Sequence, residues 1–212
     1  MWQSILQIFK HKDLRHRIMW TLILLVLFRV IAHIPIPGVD LSRLEEFFAQ
    51  NQFLGLMDIF SGGSLSNFSI ALMGVAPYIN ASIIIQLMTM AIPQVEALQK
   101  EGDYGRRKLN QYTRYLTIPL AMLQSYGMIN ILQRSELPIM GELSIYRLIA
   151  ILLTVTAGTI LVMWIGELIS EYGIGNGISL IIFLGIVADL PQIVSSTAAV
   201  FDVGQLGRII AF

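Results

Sequence analysis

Apolar residues run through this chain in long blocks separated by short polar stretches, not in the narrow stripe that a soluble amphipathic helix shows. Five blocks approach the length of about 20 residues that a helix needs to cross a bilayer core. They fall at about 18–34, 70–92, 115–132, 148–167 and 178–195. Pro35 and Pro37 close the first and Pro93 the second, because proline lacks the N–H that would continue a helix. Pro77 interrupts the second block, and Asp189 and Pro191 weaken the far end of the fifth. Residues 1–17 read as a basic leading segment, and 196–212 as a segment leading into a sixth span that would begin near Arg208. The pattern predicts an all-α, polytopic membrane protein.

Two connections depart from simple loops. The one from Pro35 to Ser69 is long, and its second part, about 53–70, is apolar with a single charge at Asp58. Such a surface is a poor fit to water. It reads either as a re-entrant segment buried in protein, where irregular backbone at membrane depth is tolerated, or as an interfacial helix lying on the membrane. The other, Glu171–Gly177, carries three glycines and Asn176, which permit left-handed backbone and close approach of helix ends. No strand precedes it and no Gly-Lys-Ser/Thr follows, so it lacks the context of a phosphate-binding loop.

Composition sharpens the reading. Charged residues make up 13% of the chain and apolar ones 55%, against about 25% charged in soluble domains. Net charge is zero, which offers no global field for nucleic acid. Where the charges sit matters more. Lys10, Lys12, Arg15 and Arg17 precede the first span, and Lys100, Arg106, Arg107, Lys108 and Arg114 lie between the second and third. The opposite loops hold only Arg43, Arg134 and Arg147. Basic loops face the cytoplasm, so the N-terminus and the stretch containing Arg106–Lys108 are expected there. The leading segment resembles a signal peptide, but its apolar run is too long and no small-residue cleavage site follows. There is no cysteine, which excludes disulfides, thiolate metal sites and a cysteine nucleophile.

Intramembrane ionisable groups are the usual mark of proton relays, ion transport and catalysis at mid-depth. The second, third and fourth spans carry none in their interiors. Arg29 sits in the first span with His33 one turn on, and reads as snorkelling or facing another helix. Glu167 is expected at a solvated helix end. No catalytic site, metal site or cofactor is predicted. What the spans offer is aliphatic: Val75 and Ile79, and Ile178 and Ile182, are each four apart and so share a helical face. They could constrict a pore as a dewetting gate or simply pack against lipid or protein, and spacing alone does not choose.

Several stretches taken together resemble the SecY family closely. They are HIPIPGVD at 33–40, IFSGGSLS at 59–66, PYINASIIIQ at 77–86, EGDYGRRK at 101–108, QYTRY at 111–115 and WIGELISEYGIGNGIS at 164–179, in family order and spacing. The resemblance implies a ten-span channel built of two inverted five-span halves, of which this chain supplies the amino-terminal half. It implies a plug over about 53–70, centred on Ile59, Phe60, Ser61, Gly62, Gly63, Ser64, Leu65 and Ser66. A pore ring would use Val75, Ile79, Ile178 and Ile182, with Val75 where isoleucine is usual. Asn80, in place of the common serine, and Gln124 match polar lateral-gate positions. Arg106, Arg107, Lys108, Gly175, Asn176 and Gly177 match cytoplasmic loop positions. Implied partners are the carboxy-terminal half of the channel, the small subunits SecE and SecG, the SecA motor ATPase or a ribosome, signal sequences, unfolded preproteins and membrane lipid. The implied location is the bacterial cytoplasmic membrane. Half of an inverted-repeat secondary transporter is the competing reading, and it predicts substrate-coordinating polar groups at the helix breaks.

Overall fold

The computed structural model describes residues 11–135, 139–140 and 144–200; the predicted terminal segments lie outside them at 1–10 and 201–212. The described residues form eight helices and two isolated bridges, Pro35–Ser69 and Val39–Met140. Helix α1 (Lys12–Ala32) has 21 residues, about 32 Å at 1.5 Å per residue. It ends where the His33 N–H turns back to the Val30 carbonyl ahead of Pro35. α2 (Leu41–Gln50) begins at Asp40, whose carboxylate accepts from the Arg43 N–H. α3 (Gln52–Ser61) follows directly.

The second predicted span starts later than its apolar block. Residues 62–75 are turns, and helix α4 runs only from Ala76 to Ala91 with Pro77 in its first turn. The Ile70 N–H donates to Ile34 and the Ile36 N–H to Phe68, so this stretch pairs with the residues just after α1 instead of coiling. Phe68 and Gly74 adopt positive φ of 42° and 51°, which a right-handed helix excludes. Pro93 does not merely stop α4. It opens α5 (Pro93–Lys100) after a bend of 102°, since proline fits a first helical turn where no intrahelical N–H is needed. The expected loop at 93–114 is therefore helical, made of α5 and the start of α6 (Asp103–Gln133).

α6 continues through Pro119 for 31 residues. Its buried face reads Gly105, Leu109, Thr113, Thr117, Ala121 and Ser125, one residue every four. Small side chains at that interval let helices approach closely inside a membrane, and α4 packs along this helix. The Thr113 and Thr117 hydroxyls return to the carbonyls of Leu109 and Thr113, so their burial strands no donor. α7 (Ile145–Tyr172) and α8 (Gly177–Val200) form a tight hairpin, with α8 running on through Pro191. Among the described residues, α7 alone is long and apolar enough to cross a membrane by itself, and the bent pair α4–α5 passes as a broken unit.

Two apolar clusters hold the helices. One joins Ile36, Leu44, Leu65, Phe68 and Leu72 to Met128, Ile129 and Leu132 of α6 and Ile151 and Val155 of α7. The other joins Leu24, Phe28 and Ile31 of α1 to Val162, Ile165 and Ile169 of α7 and Ile181 of α8. The stretch after α3 thus lies inside the protein, with Ser64, Phe68 and Ser69 fully buried.

Candidate functional site: two clefts and a shared wall

The four aliphatic residues singled out by spacing meet between two clefts of opposite character. An apolar cleft of about 570 Å³ is lined by Leu54, Met57, Ser61 and Leu65 from α3 and its following turn, by Val75, Ile79 and Asn80 at the start of α4, by Gln124, Met128 and Ile131 of α6, and by Ile182 of α8. A polar cleft of about 680 Å³ is lined by Tyr78, Ile79, Ser82 and Gln86 of α4, Asn110 and Arg114 of α6, Glu167 and Ser170 of α7, and Asn176, Ile178, Ser179 and Ile182. Ile79 and Ile182 line both. They form the wall where the clefts approach each other.

Val75 and Ile178 sit to either side of that wall. Val75 is buried and faces the apolar cleft, whereas Ile178 borders the polar one. Ile178 also packs into the groove of α7, because a Cβ on Gly166 would strike its Cδ1. Asn80 and Gln124, from different helices, face one cleft together with Ser61. Among the described residues that line it, those three carry the amide and hydroxyl groups, and none of the lining side chains is ionisable.

The apolar segment after α2 is organised by its single charge. Asp58 Oδ1 accepts from the Leu65 and Ser66 N–H groups, each at 3.0 Å, and from the Ser61 hydroxyl at 3.3 Å. This closes the Ser61–Ser66 turn over the end of α3 by giving two N–H groups of the turn a carboxylate acceptor from within the helix. Gly62 and Gly63 take φ of +71° and +76°, a region that glycine enters without steric cost. Of the other predicted residues here, Ile59 and Phe60 fall in the backbone of α3, and their side chains lie outside the described ones.

The polar cleft opens beside the α7–α8 turn. Gly175 has φ +73° and open space around it, while Gly173 and Gly177 are buried. A Cβ on Gly177 would strike the carbonyl oxygen of Gly166, and one on Gly173 would strike Thr21 of α1. These glycines therefore serve helix packing. Thr21 Oγ1 accepts from the Ile174 N–H at 3.1 Å and donates to the Arg17 carbonyl at 2.9 Å, so α1 clamps the turn. The Asn176 side chain caps α8 by accepting from the Ser179 N–H. Asn176 and Asn110 share the cleft, which puts the turn at the same end as the first turns of α6, where Arg106, Arg107 and Lys108 sit. Lys108 lies 5.7 Å over the Tyr104 ring.

Glu167 is not solvated as expected. Its side chain is 16% exposed and pairs with Arg114 of α6, Nε to Oε1 at 2.7 Å. Arg29 faces protein: its Nη1 donates to the Gly62 carbonyl at 2.6 Å. Sequence reasoning missed both partners and the Asp58 cap. Asp58 alone carried a signal, as the one charge in an apolar run.

Known proteins match this chain closely. A family model described as SecY matches residues 69–212. The Protein translocase subunit SecY of Corynebacterium glutamicum is 46% identical over 199 residues, covering 89% of this chain and 45% of the relative. That of Streptomyces griseus is 45% identical over 202 residues, covering 90% and 46%. The chain thus spans about half the length of the curated relatives it matches. Two solved structures share the fold at a TM-score of 0.55 and 20% identity, covering 82% of this chain and 36% of theirs. They are Sec61 in the canine ribosome-channel complex from the endoplasmic reticulum, and a chain solved as a protein conducting channel.

Proposed function

Because this chain belongs to the SecY family, we propose that it provides the amino-terminal half of the pore-forming subunit of a protein translocase, passing unfolded polypeptides across or laterally into a membrane. The observation that carries this reading is the pair Ile79 and Ile182, which lines a polar cleft on one side and an apolar cleft on the other. A waist of branched aliphatic side chains can yield around a polypeptide of any sequence. Closed, it excludes water and ions by dewetting.

In this reading the polar cleft is the cytoplasmic vestibule and the apolar cleft is the external one, filled in part by residues 53–70 as a plug. Val75 and Ile178 complete the ring with Ile79 and Ile182. Asn80 and Gln124, on α4 and α6, form one face of the lateral gate through which apolar signal sequences reach lipid. The opposite face and the rest of the ring come from the carboxy-terminal half. SecE and SecG brace the assembly, and SecA or a ribosome supplies the driving force at the cytoplasmic side, where Arg106, Arg107, Gly175 and Asn176 are exposed to contact, beside Lys108 and the buried Gly177. The protein sits in the bacterial cytoplasmic membrane with its N-terminus inside and performs no chemistry of its own. The transporter reading lacks support in this geometry, because the waist presents no coordinating group to a substrate or ion.

This chain holds no cysteine, so one introduced into it is unique within it. A single cysteine at Ile79, in the assembled channel, is expected to crosslink to a secretory protein stalled in transit and to lose that adduct when the signal sequence is removed. No adduct at Ile79 or at Ile182, with substrate demonstrably engaged, would overturn the assignment.

A further inference from the structure

The segment that lines the apolar cleft meets α1 and α8 at the end of α3. α3 ends at Ser61, and the next residue, Gly62, is buried between two other helices. A Cβ there would lie 3.1 Å from the Gly185 Cα of α8 and 3.6 Å from the Phe28 ring of α1. The Gly62 carbonyl accepts from Arg29 Nη1 at 2.6 Å, a short, charge-assisted bond. The last carbonyls of a helix have no intrahelical donor and form the negative end of its dipole. Arg29 therefore caps the C-terminal end of α3 from a neighbouring span.

The placement of this cation has a cost. Arg29 follows the apolar run Leu22–Phe28 within α1, where a charge is unfavourable in a membrane span. Within the segment itself, Asp58 closes the turn through its bonds to Leu65, Ser66 and Ser61. Shape and tether are thus carried by different side chains.

We propose that Arg29 is a positioning residue, a latch that holds the plug shut by capping the end of α3 through the Gly62 carbonyl. This rests on the reading of residues 53–70 as a plug. Displacing that segment breaks the Arg29–Gly62 bond and separates a cation from a helix end, so Arg29 sets the balance between closed and open states. It does so without touching the polypeptide in transit.

The test uses the assembled channel in its membrane, with a single cysteine at Met57, a residue of α3 that lines the apolar cleft. A membrane-impermeant maleimide is added from outside, and its labelling rate reports displacement of α3. Arg29→Met and Arg29→Gln each remove the cation, so one suffices if the other fails to assemble. Either is expected to speed labelling about tenfold, the scale of a lost hydrogen bond to a charged group. Arg29→Lys keeps a cation at the helix end and is expected to stay within about threefold of the parent, a rescue that a merely space-filling role would not produce. Unchanged labelling in both neutral variants, or a lysine variant as fast as they are, would overturn the latch. Crosslinking of stalled substrate at Ile79 in the parent is scored separately. Its failure counts against the channel reading, whereas its success beside unchanged labelling counts against Arg29 alone.

Discussion

Arg114 on α6 and Glu167 on α7, 53 residues apart in sequence, join their helices at the wall of the polar cleft through a 2.7 Å contact from Nε to Oε1. The arginine is half exposed and the glutamate mostly buried, at 49% and 16%. The pair is therefore asymmetric. Loss of the arginine leaves a largely buried carboxylate without its counter-charge, whereas loss of the glutamate leaves a cation that can reach water.

Arg114→Met is expected to destabilise the protein by about 1–3 kcal/mol, and more than Glu167→Gln does. The double variant should recover part of the loss. Apparent Tm values of the four proteins in one detergent check this as a double-mutant cycle, and strict additivity would mean that the pair carries no coupling.

The glycines of the hairpin make a graded series. A methyl at Gly177 meets the Gly166 carbonyl oxygen, which is backbone, whereas a methyl at Gly166 meets the Ile178 Cδ1, the end of a side chain that can turn aside. At Gly175 the space is open and only the φ of +73° opposes a side chain. Thermal unfolding should rank the alanine variants Gly177 worst, by about 3 kcal/mol or more, with Gly166 and Gly175 near about 1–2 kcal/mol.

Thr21→Val keeps the shape and removes the oxygen that accepts from the Ile174 N–H. The expected loss is about 1–2 kcal/mol, the cost of stranding a partly buried donor. Hydrogen exchange at Ile174 should accelerate while amides in the middle of α7 keep their protection.

At the waist, polarity should matter more than size. Ile182→Asn, expected to let water bridge the two clefts, should raise the ion leak of reconstituted vesicles by about tenfold or more, while Ile182→Leu leaves it near the parent value. Equal leaks in the two variants would remove Ile182 from the seal.

The helical character of the chain was legible because lipid-facing and core-facing residues are both apolar, so long spans stand out as blocks. Boundaries were harder. Residues 70–75 are as apolar as the helix after them, but backbone pairing between Ile70 and Ile34 turns them aside. Helices α5 and early α6 were hidden because they are polar, and polar helices lack the signal used to find spans. Spacing put Val75 and Ile79 on one face, as it would for ordinary packing. That Ile79 and Ile182 share a wall depends on how α4 and α8 sit together, and no local pattern encodes it. The partners of Arg29 and Glu167 lie 33 and 53 residues away, beyond any periodicity.

The clamp at the α7–α8 turn makes that end of the hairpin a fulcrum. Gly177 is pressed against the Gly166 carbonyl and its N–H is held by the Ser170 hydroxyl at 2.8 Å, so the first turn of α8 is fixed to α7 and is the natural pivot for any swing of the helix. Measured along the helix from Gly177, Ile182 lies about 7–8 Å out and Gly185 about 12 Å. A swing that shifts Ile182 by about 1 Å therefore shifts Gly185 by about 1.6 Å, on lever arms set by that rise per residue. Gly185 is the residue against which Gly62 is wedged. Any such swing would therefore move α8 further at the Gly62 turn than at the aliphatic wall formed by Ile79 and Ile182.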